Sequence, residues 1–211
     1  MDKPVIIFGS TGIAKAALEI FNSNSIVIYG FLDDNEDQHD LEINSVPVLG
    51  NTDDHGYTKL IGQKCEAFIA TDDNGLRKEY VEYLTDTRKV MPVNAVHQSA
   101  IISDSFVLGH GNFLNAGAIL SNDSKIGNHN IINSKVLIEQ EVEIGDFVQL
   151  GAGSIVNSRV KIEDEVFIGT GVTIVSGVTI KKGARIGAGS VVVGDVEAGK
   201  TVFGNPAVEV K

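Results

Sequence analysis

The sequence predicts a small α/β domain followed by a parallel β-helix. In residues 1–90, short apolar runs alternate with segments of helical periodicity, which is typical of a small parallel α/β sheet. From Ile102 to Val192, a branched aliphatic residue occurs at every sixth position, sixteen times in succession. An antiparallel sandwich alternates with a period of two and keeps no six-residue register, so this pattern favours the β-helix.

The composition excludes several classes of protein. The chain has 23 glycines in 211 residues, 43 % hydrophobic and only 6 % aromatic residues, which indicates a core of Ile, Val, Leu and Ala rather than disorder. The formal net charge of −11 argues against a nucleic-acid partner, and no basic amphipathic or long apolar segment suggests a membrane. A single cysteine, Cys65, and an N-terminus unlike a signal peptide favour a cytoplasmic location.

The chain divides into two predicted domains, residues 1–90 and residues 91–211, without a Gly/Ser linker between them. In the first domain, apolar runs predict the strands Val5–Phe8, Ser25–Leu32, Val46–Leu49 and Glu66–Ala70. Apolar residues at three- and four-residue steps predict the helix Ile13–Phe21. Tyr57–Ile61 is predicted as a short helix and Leu76–Leu84 as a charged helix.

In the second domain, each six-residue unit predicts one short strand and one corner. Three units close a coil of 18 residues, so residues 18 apart stack at about 4.8 Å with the aliphatic column inside. The residue after each aliphatic one is often Gly or Asn, and we predict that these residues take left-handed backbone at the corners. We also expect Val136, Val142 and Val148, with Leu137 and Phe147, to contribute to flat outer faces that have few charges.

The order of these parts is similar to that of a known protein family. The chain opens with FGSTG at Phe8–Gly12, continues with hexapeptide repeats and ends with Gly-Asn-Pro-Ala at Gly204–Ala207. It resembles the sugar acyltransferases of the NeuD and PglD type. The resemblance implies an α/β Rossmann-like nucleotide-sugar-binding domain, a left-handed β-helix and a homotrimer. It also implies transfer of an acetyl group from acetyl-CoA to an amino or hydroxyl group of a nucleotide-linked sugar.

The first candidate site is a glycine-containing turn that follows a strand and opens a helix, formed by Gly9, Ser10, Thr11 and Gly12. Backbone N–H groups at such a turn can hold a phosphate, helped by the helix dipole. Asp33 and Asp34 end the second strand, where a carboxylate can accept hydrogen bonds from a sugar hydroxyl or a base. The alternative is a tight turn beside a solvated acidic strand end. The family commonly has histidine where Ile13 stands, so one polar contact is missing.

The second candidate site is the segment Asn133–Asp146. Asn133 and the Ile-Gly-Asp at its end match the family pattern, which implies that Asn133 contacts substrate. By the resemblance, the family's general-base histidine falls on Gln140 and its acidic neighbour on Glu141. The amide of glutamine does not titrate near neutral pH, and general-base help is worth roughly 10²–10⁴-fold. If Glu141 is buried, its carboxylate could itself serve as the base; otherwise it is a solvent-facing acid.

The resemblance also implies the cofactor contacts. The residues that would contact CoA are Gln149, where the family usually has a second histidine, Gly169, Gly187, Gly204, Asn205 and Pro206. No group of His and Cys has the spacing of metal ligands, so we predict no metal site. We expect His110 to lie on a different edge of the prism from Gln140, and His129 to point outward at a corner.

Two functions from different classes remain. The first is acetyl transfer by direct attack, for which an amine acceptor suits the missing base because a neutral amine is already nucleophilic. The second is a non-catalytic family member that binds a nucleotide-sugar or CoA as a partner or regulatory subunit. The intact repeat and Glu141 favour the first, and the glutamines at Gln140 and Gln149 favour the second. An acyltransferase that uses another donor is a further option.

Overall fold

The computed structural model describes residues 3–210, which fold as two compact units that divide between Gln98 and Ser99. The sequence suggested a division after residue 90, which lies earlier in the chain than the division in the structure. The segment that follows it belongs to the first unit because its backbone is hydrogen-bonded there; for example, Val93 donates its N–H to the carbonyl of Ala67 at 2.8 Å. The two units are described separately below.

The first unit carries a mainly parallel sheet. Its elements are β1 (Val5–Phe8), α1 (Ile13–Ser23), β2 (Ile28–Leu32), a 3₁₀ turn (Glu36–Gln38), β3 (Glu42–Ile43), β4 (Val46–Gly50), α2 (His55–Thr58), β5 (Glu66–Ile69), α3 (Asn74–Tyr83), a π-helical turn (Leu84–Arg88) and β6 (Ala95–Val96). The order across the sheet is β3-β4-β2-β1-β5, and only the β3–β4 pair is antiparallel. All four residues of β1 are buried, as a parallel strand covered on both faces requires.

The predicted strands and helices of this unit are present, with shifted ends. The second strand begins at Ile28 rather than Ser25, because Ser25 has a φ of +61° and belongs to the turn that closes α1. The helix predicted to start at Leu76 begins two residues earlier. Asp73 caps it by accepting the N–H of Leu76 at 2.9 Å, which satisfies one of the free donors of the first turn.

The second unit is a prism of two-residue strands. They are β7 (Ile101–Ile102), β8 (Val107–Leu108), β9 (Phe113–Leu114), β10 (Ile119–Leu120), β11 (Lys125–Ile126), β12 (Ile131–Ile132), β13 (Leu137–Ile138), β14 (Glu143–Ile144), β15 (Gln149–Leu150), β16 (Ile155–Val156), β17 (Lys161–Ile162), β18 (Phe167–Ile168), β19 (Thr173–Ile174), β20 (Thr179–Ile180), β21 (Arg185–Ile186) and β22 (Val191–Val192). A hairpin of β23 (Thr201–Gly204) and β24 (Ala207–Glu209) ends it.

These strands stack into three parallel sheets. The first sheet is β7-β10-β13-β16-β19-β22, the second is β8-β11-β14-β17-β20, and the third runs from β9 through β12, β15, β18 and β21 to β23. Partners lie 18 residues apart, as in the series Leu120, Ile138 and Val156. Three edges join the sheets, and we name each by the sheets it connects. The first–second edge includes residues 121–124, 139–142, 157–160 and 175–178, the second–third edge 109–112, 127–130, 145–148 and 163–166, and the third–first edge 133–136, 151–154, 169–172 and 187–190.

The aliphatic column lies inside the prism, as predicted, and other buried side chains share this interior with it. Val136, Val142 and Val148 are fully buried inside, so the expectation that they contribute to outer faces is wrong. Each lies two residues before a column residue, and side chains two apart in an extended strand point to the same side.

The outward side chains of the first and second sheets differ in chemistry. Those of the first sheet are mostly apolar and partly exposed; they are Ile101, Ile119, Leu137, Ile155, Thr173 and Val191. The second sheet instead carries an outward series of Lys125, Glu143 and Lys161, with an ion pair of 3.3 Å between Lys125 and Glu143. The second sheet is therefore suited to water, whereas the first exposes an apolar stripe.

The prediction for the corners is wrong in its register. The corner residues with positive φ lie three positions after an aliphatic residue, not one, and they include Asp123, Lys135 and Glu141. The glycines directly after the aliphatic residues are needed for space instead. A Cβ on Gly145 would lie 3.0 Å from the backbone nitrogen of Asp164 in the next coil, and closer still to the Asp164 carboxylate.

The Ile-Gly-Asp sequence thus has a structural explanation. The carboxylate of Asp146 accepts the N–H of Asn128 in the coil before, at 2.7 Å, and the Asp164 carboxylate accepts the N–H of Asp146 at 2.9 Å. Each of these carboxylates lies over the glycine of the preceding coil. Glycine and aspartate therefore act as a pair that joins neighbouring coils at the second–third edge.

We predict that Gly127→Ala destabilises the prism by about 1–3 kcal/mol, the usual cost of overpacking. The new Cβ would lie 2.9 Å from the carbonyl oxygen of Gly145 and closer to the Asp146 carboxylate. Gly194→Ala is the matched control, since a Cβ there has no heavy atom within 4 Å; its effect should stay within about 0.5 kcal/mol. Chemical denaturation measures both, and equal losses would contradict the steric explanation.

Candidate functional site

The first unit has a cavity of about 160 Å³ at the carboxyl ends of β1 and β5. Gly9, Gly12, Asp33, Thr71 and Tyr80 are among its lining residues. The chain passes from β1 to β2 on one side and later returns to β5 on the other side of β1. Such a reversal of strand order opens a crevice, and ligands of open α/β sheets bind there.

Both glycines of the turn from Gly9 to Gly12 have positive φ, but only Gly9 is closely packed against other residues. Gly9 has a φ of +95°, and a Cβ there would lie 2.9 Å from the carbonyl oxygen of Ala70. Gly12 has a φ of +53° and precedes α1 without any side-chain cap. Because Thr11, Gly12 and Ile13 border the cavity, the first-turn N–H groups of α1 begin beside it. N–H groups at the start of a helix can hold an anion, and binding of a phosphate by this turn stays a prediction.

Ser10 and Asp33, both predicted to bind substrate, hold each other. The N–H and the hydroxyl of buried Ser10 donate to Oδ2 of Asp33 at 2.8 and 2.5 Å. The N–H of Asn35 donates to Oδ1 of Asp33 at 2.9 Å. Asp33 still borders the cavity, but its main contacts join the end of β2 to the glycine turn. It therefore fixes the shape of the turn.

Asp34 is directed to other residues. Its carboxylate accepts the N–H and hydroxyl of Thr52, both at 2.8 Å, and the hydroxyl of Tyr80 at 3.1 Å. Burial alone would raise the pKa of Asp34, but the hydrogen bonds from Thr52 and Tyr80 outweigh it and hold the pKa below its usual value. Burial, followed by the charge of Asp34, raises the pKa of Tyr80, so its hydroxyl stays protonated.

Sequence reasoning missed Tyr80 and Arg77. Both lie in α3, which the sequence presented only as a charged helix. Arg77 is buried, burial lowers its pKa to about 10, and its Nη1 donates to the carbonyl of Thr71 at 2.8 Å. It thereby holds the loop after β5 that borders the cavity. The signal was available, since Arg77, Tyr80 and Leu84 recur at the spacing of one helix face.

In the prism, Gln140 and Glu141 lie on the first–second edge. The hydroxyl of Ser158, 18 residues later, donates to Oε1 of Gln140 at 2.8 Å. The N–H of Arg159 donates to the main-chain carbonyl of Gln140 at 3.0 Å. Glu141 has a φ of +58° and is exposed at the corner, so the alternative that requires a buried carboxylate is wrong for the single chain.

Asn133 does not join them, because it lies on the third–first edge. Its amide donates to the carbonyl of Leu150 in the next coil at 3.1 Å. Asn157, for which no role in a site was predicted, makes the same contact with the carbonyl of Ile174 at 2.7 Å. The contact of Asn133 is thus one that joins neighbouring coils.

Two of the six residues predicted to contact the cofactor, Gly169 and Gly187, lie on the third–first edge, and Gly204 is joined to this edge by a hydrogen bond to Ser190. A Cβ on Gly169 would lie 3.0 Å from the carbonyl carbon of Gly187, and a Cβ on Gly187 would lie 3.1 Å from ring atoms of Phe203. Ser190 links the C-terminal hairpin to this stack. Its hydroxyl donates to the carbonyl of Gly187 at 2.7 Å and accepts the N–H of Gly204 at 3.0 Å.

The rest of the predicted cofactor set lies nearby. Asn205 and Pro206 form the exposed hairpin turn after Gly204, and the peptide bond between them is cis. Gln149 points outward on the third sheet, between Ile131 and Phe167 of the neighbouring strands. Contact of these residues with CoA stays a prediction.

Two histidines of the prism differ in their exposure to solvent. His110 is exposed on the second–third edge, away from Gln140, as predicted. His129 is buried, so the expectation that it points outward is wrong. Its ring packs against that of Phe147, with 5.0 Å between the ring centroids, because both occupy the left-handed corner position of successive coils. Within residues 3–210, no three His, Cys, Asp or Glu side chains are grouped as a metal site.

The chain matches known families over both units. Residues 4–84 match the PglD N-terminal domain, and residues 141–176 and 159–194 match the bacterial transferase hexapeptide of six repeats. PerB from Caulobacter crescentus, crystallised with CoA and GDP-perosamine, is 31 % identical with a TM-score of 0.89, over 99 % of this chain and 97 % of PerB. The chain belongs to the NeuD- and PglD-type family of hexapeptide-repeat sugar acyltransferases. The predicted fold class, an α/β unit and a left-handed β-helix, is confirmed.

Two other solved structures are similar. WeeI from Acinetobacter baumannii AYE is 26 % identical with a TM-score of 0.84, over 98 % of this chain and 99 % of WeeI. The acetyltransferase domain of PglB from Neisseria gonorrhoeae FA1090, in complex with acetyl coenzyme A, is 24 % identical with a TM-score of 0.89 over the full length of both; at that identity it supports the fold alone. No curated protein sequence matches the chain. In the described residues, no helix has both the length and the apolar character needed to cross a bilayer.

Proposed function

We propose that this protein transfers an acetyl group from acetyl-CoA to an amino group of a nucleotide-linked sugar. The observation that carries the proposal is the likeness, at 31 % identity over nearly the whole chain, to a perosamine N-acetyltransferase crystallised with CoA and GDP-perosamine. Under this proposal, the nucleotide part would bind in the cavity at the start of α1, and CoA would bind along the third–first edge of the prism.

The nucleotide part of the acceptor would bind in the cavity of the first unit. The first-turn N–H groups of α1 provide donors for a diphosphate, and no side chain of Gly12 obstructs them. Asp33 and Tyr80 border the same cavity, where they offer oxygen atoms to ribose or base donors. Because Ser10 and Asp33 are already fixed by each other, the turn requires little reordering when a ligand binds.

The acyl-transfer site would require a second copy of the chain. Gln140 lies on the first–second edge, whereas Gly169 and Gly187 lie on the third–first edge, and both edges border the first sheet. If three prisms pack through their apolar first sheets, the first–second edge of one copy approaches the third–first edge of the next. A homotrimer would therefore bring Gln140 toward the third–first edge of a neighbouring copy, where CoA is proposed to bind.

In the proposed reaction, the amine nitrogen of the sugar attacks the thioester carbonyl carbon. The new C–N bond forms, the C–S bond breaks, and the sulfur leaves as CoA thiolate, which is neutralised by the proton that the nitrogen loses to solvent. Gln140 cannot accept that proton, because an amide does not titrate in this range. An acceptor that arrives as a neutral amine needs no base before the attack, which favours amines over hydroxyls.

One observation favours a second candidate function. The side-chain oxygen of Gln140 is hydrogen-bonded to Ser158, and no base takes the place of the missing histidine at this corner apart from exposed Glu141. A chain that binds a nucleotide-sugar and CoA without turnover would have these features. Calorimetric titration with acetyl-CoA and nucleotide-sugars, followed by an assay of thiol release, separates the two functions.

The nucleotide site yields a prediction about Gly12. A valine there would be strained at a φ of +53° and would extend into the open space beside the cavity, where a Cβ has no atom within 4 Å. We expect Gly12→Val to weaken nucleotide-sugar binding roughly tenfold or more, about 1.4 kcal/mol. Gly183→Val is the control, since Gly183 has a similar φ of +67° and equally open space on the prism. Unchanged binding by Gly12→Val in calorimetry would exclude this site.

The assembly yields a prediction about the first sheet. Light scattering should give three times the chain mass of 22.5 kDa. Ile155→Glu should shift the protein toward monomer, because packing would bury an unpaired charge. Thr179→Glu, an equivalent outward position on the second sheet beside Lys161, should leave the trimer intact. A wild-type monomer would overturn both the trimer and the shared site.

The missing base yields a prediction about Gln140. Gln140→His should raise the rate of thiol release by roughly 10²-fold, at the low end of general-base catalysis. The gain should follow a group with a pKa of about 6.5, so it should fade as pH falls below that value. Gln140→Asn, which cannot titrate, should show no gain.

Two outcomes would redirect the proposal. If the wild type turns over well and Gln140→His slows it, another base is in use, and Glu141→Gln becomes the next test. If neither form releases CoA although both bind it, the chain is a binding protein on an acyltransferase scaffold.

A further inference from the structure

Both oxygens of Gln140 are hydrogen-bonded to the next coil. Oε1 accepts the hydroxyl of Ser158 at 2.8 Å, and the main-chain carbonyl accepts the N–H of Arg159 at 3.0 Å. A glutamine side chain has one acceptor group and one donor group. With Oε1 bonded to Ser158, the polar group left for a ligand is the NH₂ at Nε2.

This contact is held in place by the fold. Gln140 and Ser158 follow β13 and β16, which pair in register with Leu137 opposite Ile155. On the other side, the N–H of Gly177 donates to the carbonyl of Ser158 at 3.1 Å. The backbone at both residues is therefore fixed by neighbouring coils, which keeps the two side chains within hydrogen-bond reach of each other.

We propose that Ser158 is a positioning residue that holds the Gln140 amide as a hydrogen-bond donor toward an oxygen of the acceptor sugar. The proposal rests on the proposed function, under which the amine of the sugar would meet the thioester beside Gln140. Gln140 then recognises the acceptor rather than activating it. The substrate class is narrowed accordingly, to nucleotide-linked amino sugars that carry a hydroxyl oxygen beside the reacting amine.

Substitutions separate recognition from a purely structural role. Ser158→Ala removes the hydroxyl and releases the amide, so the donor is no longer aimed. Ser158→Thr keeps a hydroxyl and should rescue the wild-type behaviour. Gln140→Met keeps a side chain of similar length but has no NH₂ to donate to the sugar oxygen. Ser176→Ala is the matched control, because Ser176 occupies the corresponding position one coil further along the same edge.

The experiment is calorimetry with two ligand pairs, GDP-perosamine against GDP and a UDP-linked amino sugar against UDP. Free nucleotide lacks the sugar, so its affinity is the reference against which the contribution of the sugar is measured. For the sugar nucleotide that binds more tightly than its free nucleotide, we expect Ser158→Ala and Gln140→Met to weaken binding about tenfold, as for a lost hydrogen bond. Binding of free nucleotide should not change, and Ser158→Thr and Ser176→Ala should match the wild type.

Thiol release, measured in parallel with acetyl-CoA, distinguishes failure of this proposal from failure of the proposed function. If the wild type releases CoA, Ser158→Ala should raise KM for the sugar nucleotide with little change in kcat. Loss of sugar affinity in Ser158→Ala without any turnover by the wild type would uphold the positioning role and overturn acetyl transfer. Unchanged sugar affinity in Ser158→Ala, an equal loss for free nucleotide, or no contribution of the sugar in the wild type would overturn the positioning role.

Discussion

Each coil of the prism must hydrogen-bond in register with the coil on either side, and much of the second unit follows from that requirement. Strands only two residues long have few bonds of their own, so the corners must also be joined. Asp146 accepts an N–H from the preceding coil, and Ser190 links the last coil to the hairpin. Glycines such as Gly127 leave room for these contacts. The columns of aligned residues are a direct result.

The same requirement determines where ligands can be bound. Inward positions are filled by aliphatic side chains, so chemistry is confined to the outward residues and the edges. Gln140 is on one edge of the first sheet and the glycines Gly169 and Gly187 are on the other. In contrast, the cavity of the first unit is formed by loops, and internal hydrogen bonds hold those loops. Asp33 holds the glycine turn, and Arg77 holds the loop after β5.

Much of this architecture could be predicted from the sequence, because the six-residue period corresponds directly to short strands in three sheets. The register of the corners could not, since glycine is selected both for left-handed backbone and for lack of a side chain. Gly145 belongs to the second class, whereas exposed Glu141 takes the left-handed conformation. The burial of His129 depends on Phe147 in the next coil, a neighbour 18 residues away that composition does not reveal.

At the candidate sites, the sequence identified the positions better than the contacts. The turn from Gly9 to Gly12 borders a cavity as expected, but the role assigned to Asp34 depended on its side chain being free. Thr52 and Tyr80 bind that carboxylate, and both are distant in the chain. Likewise, Asn133 matched the family pattern, while its amide joins two coils in the way that Asn157 does.

The 18-residue spacing between stacked strands limits how the length of such a chain can change during evolution. Gain or loss of one whole coil would lengthen or shorten the prism and leave every later residue on its own sheet. Gain or loss of six residues would keep the aliphatic core filled but move each later side chain to the next sheet. The apolar stripe would then continue on a different face, and Gly169 and Gly187 would no longer lie on an edge of the first sheet, which Gln140 also borders. Sites on this scaffold should therefore tolerate duplication of entire coils far better than duplication of single repeats.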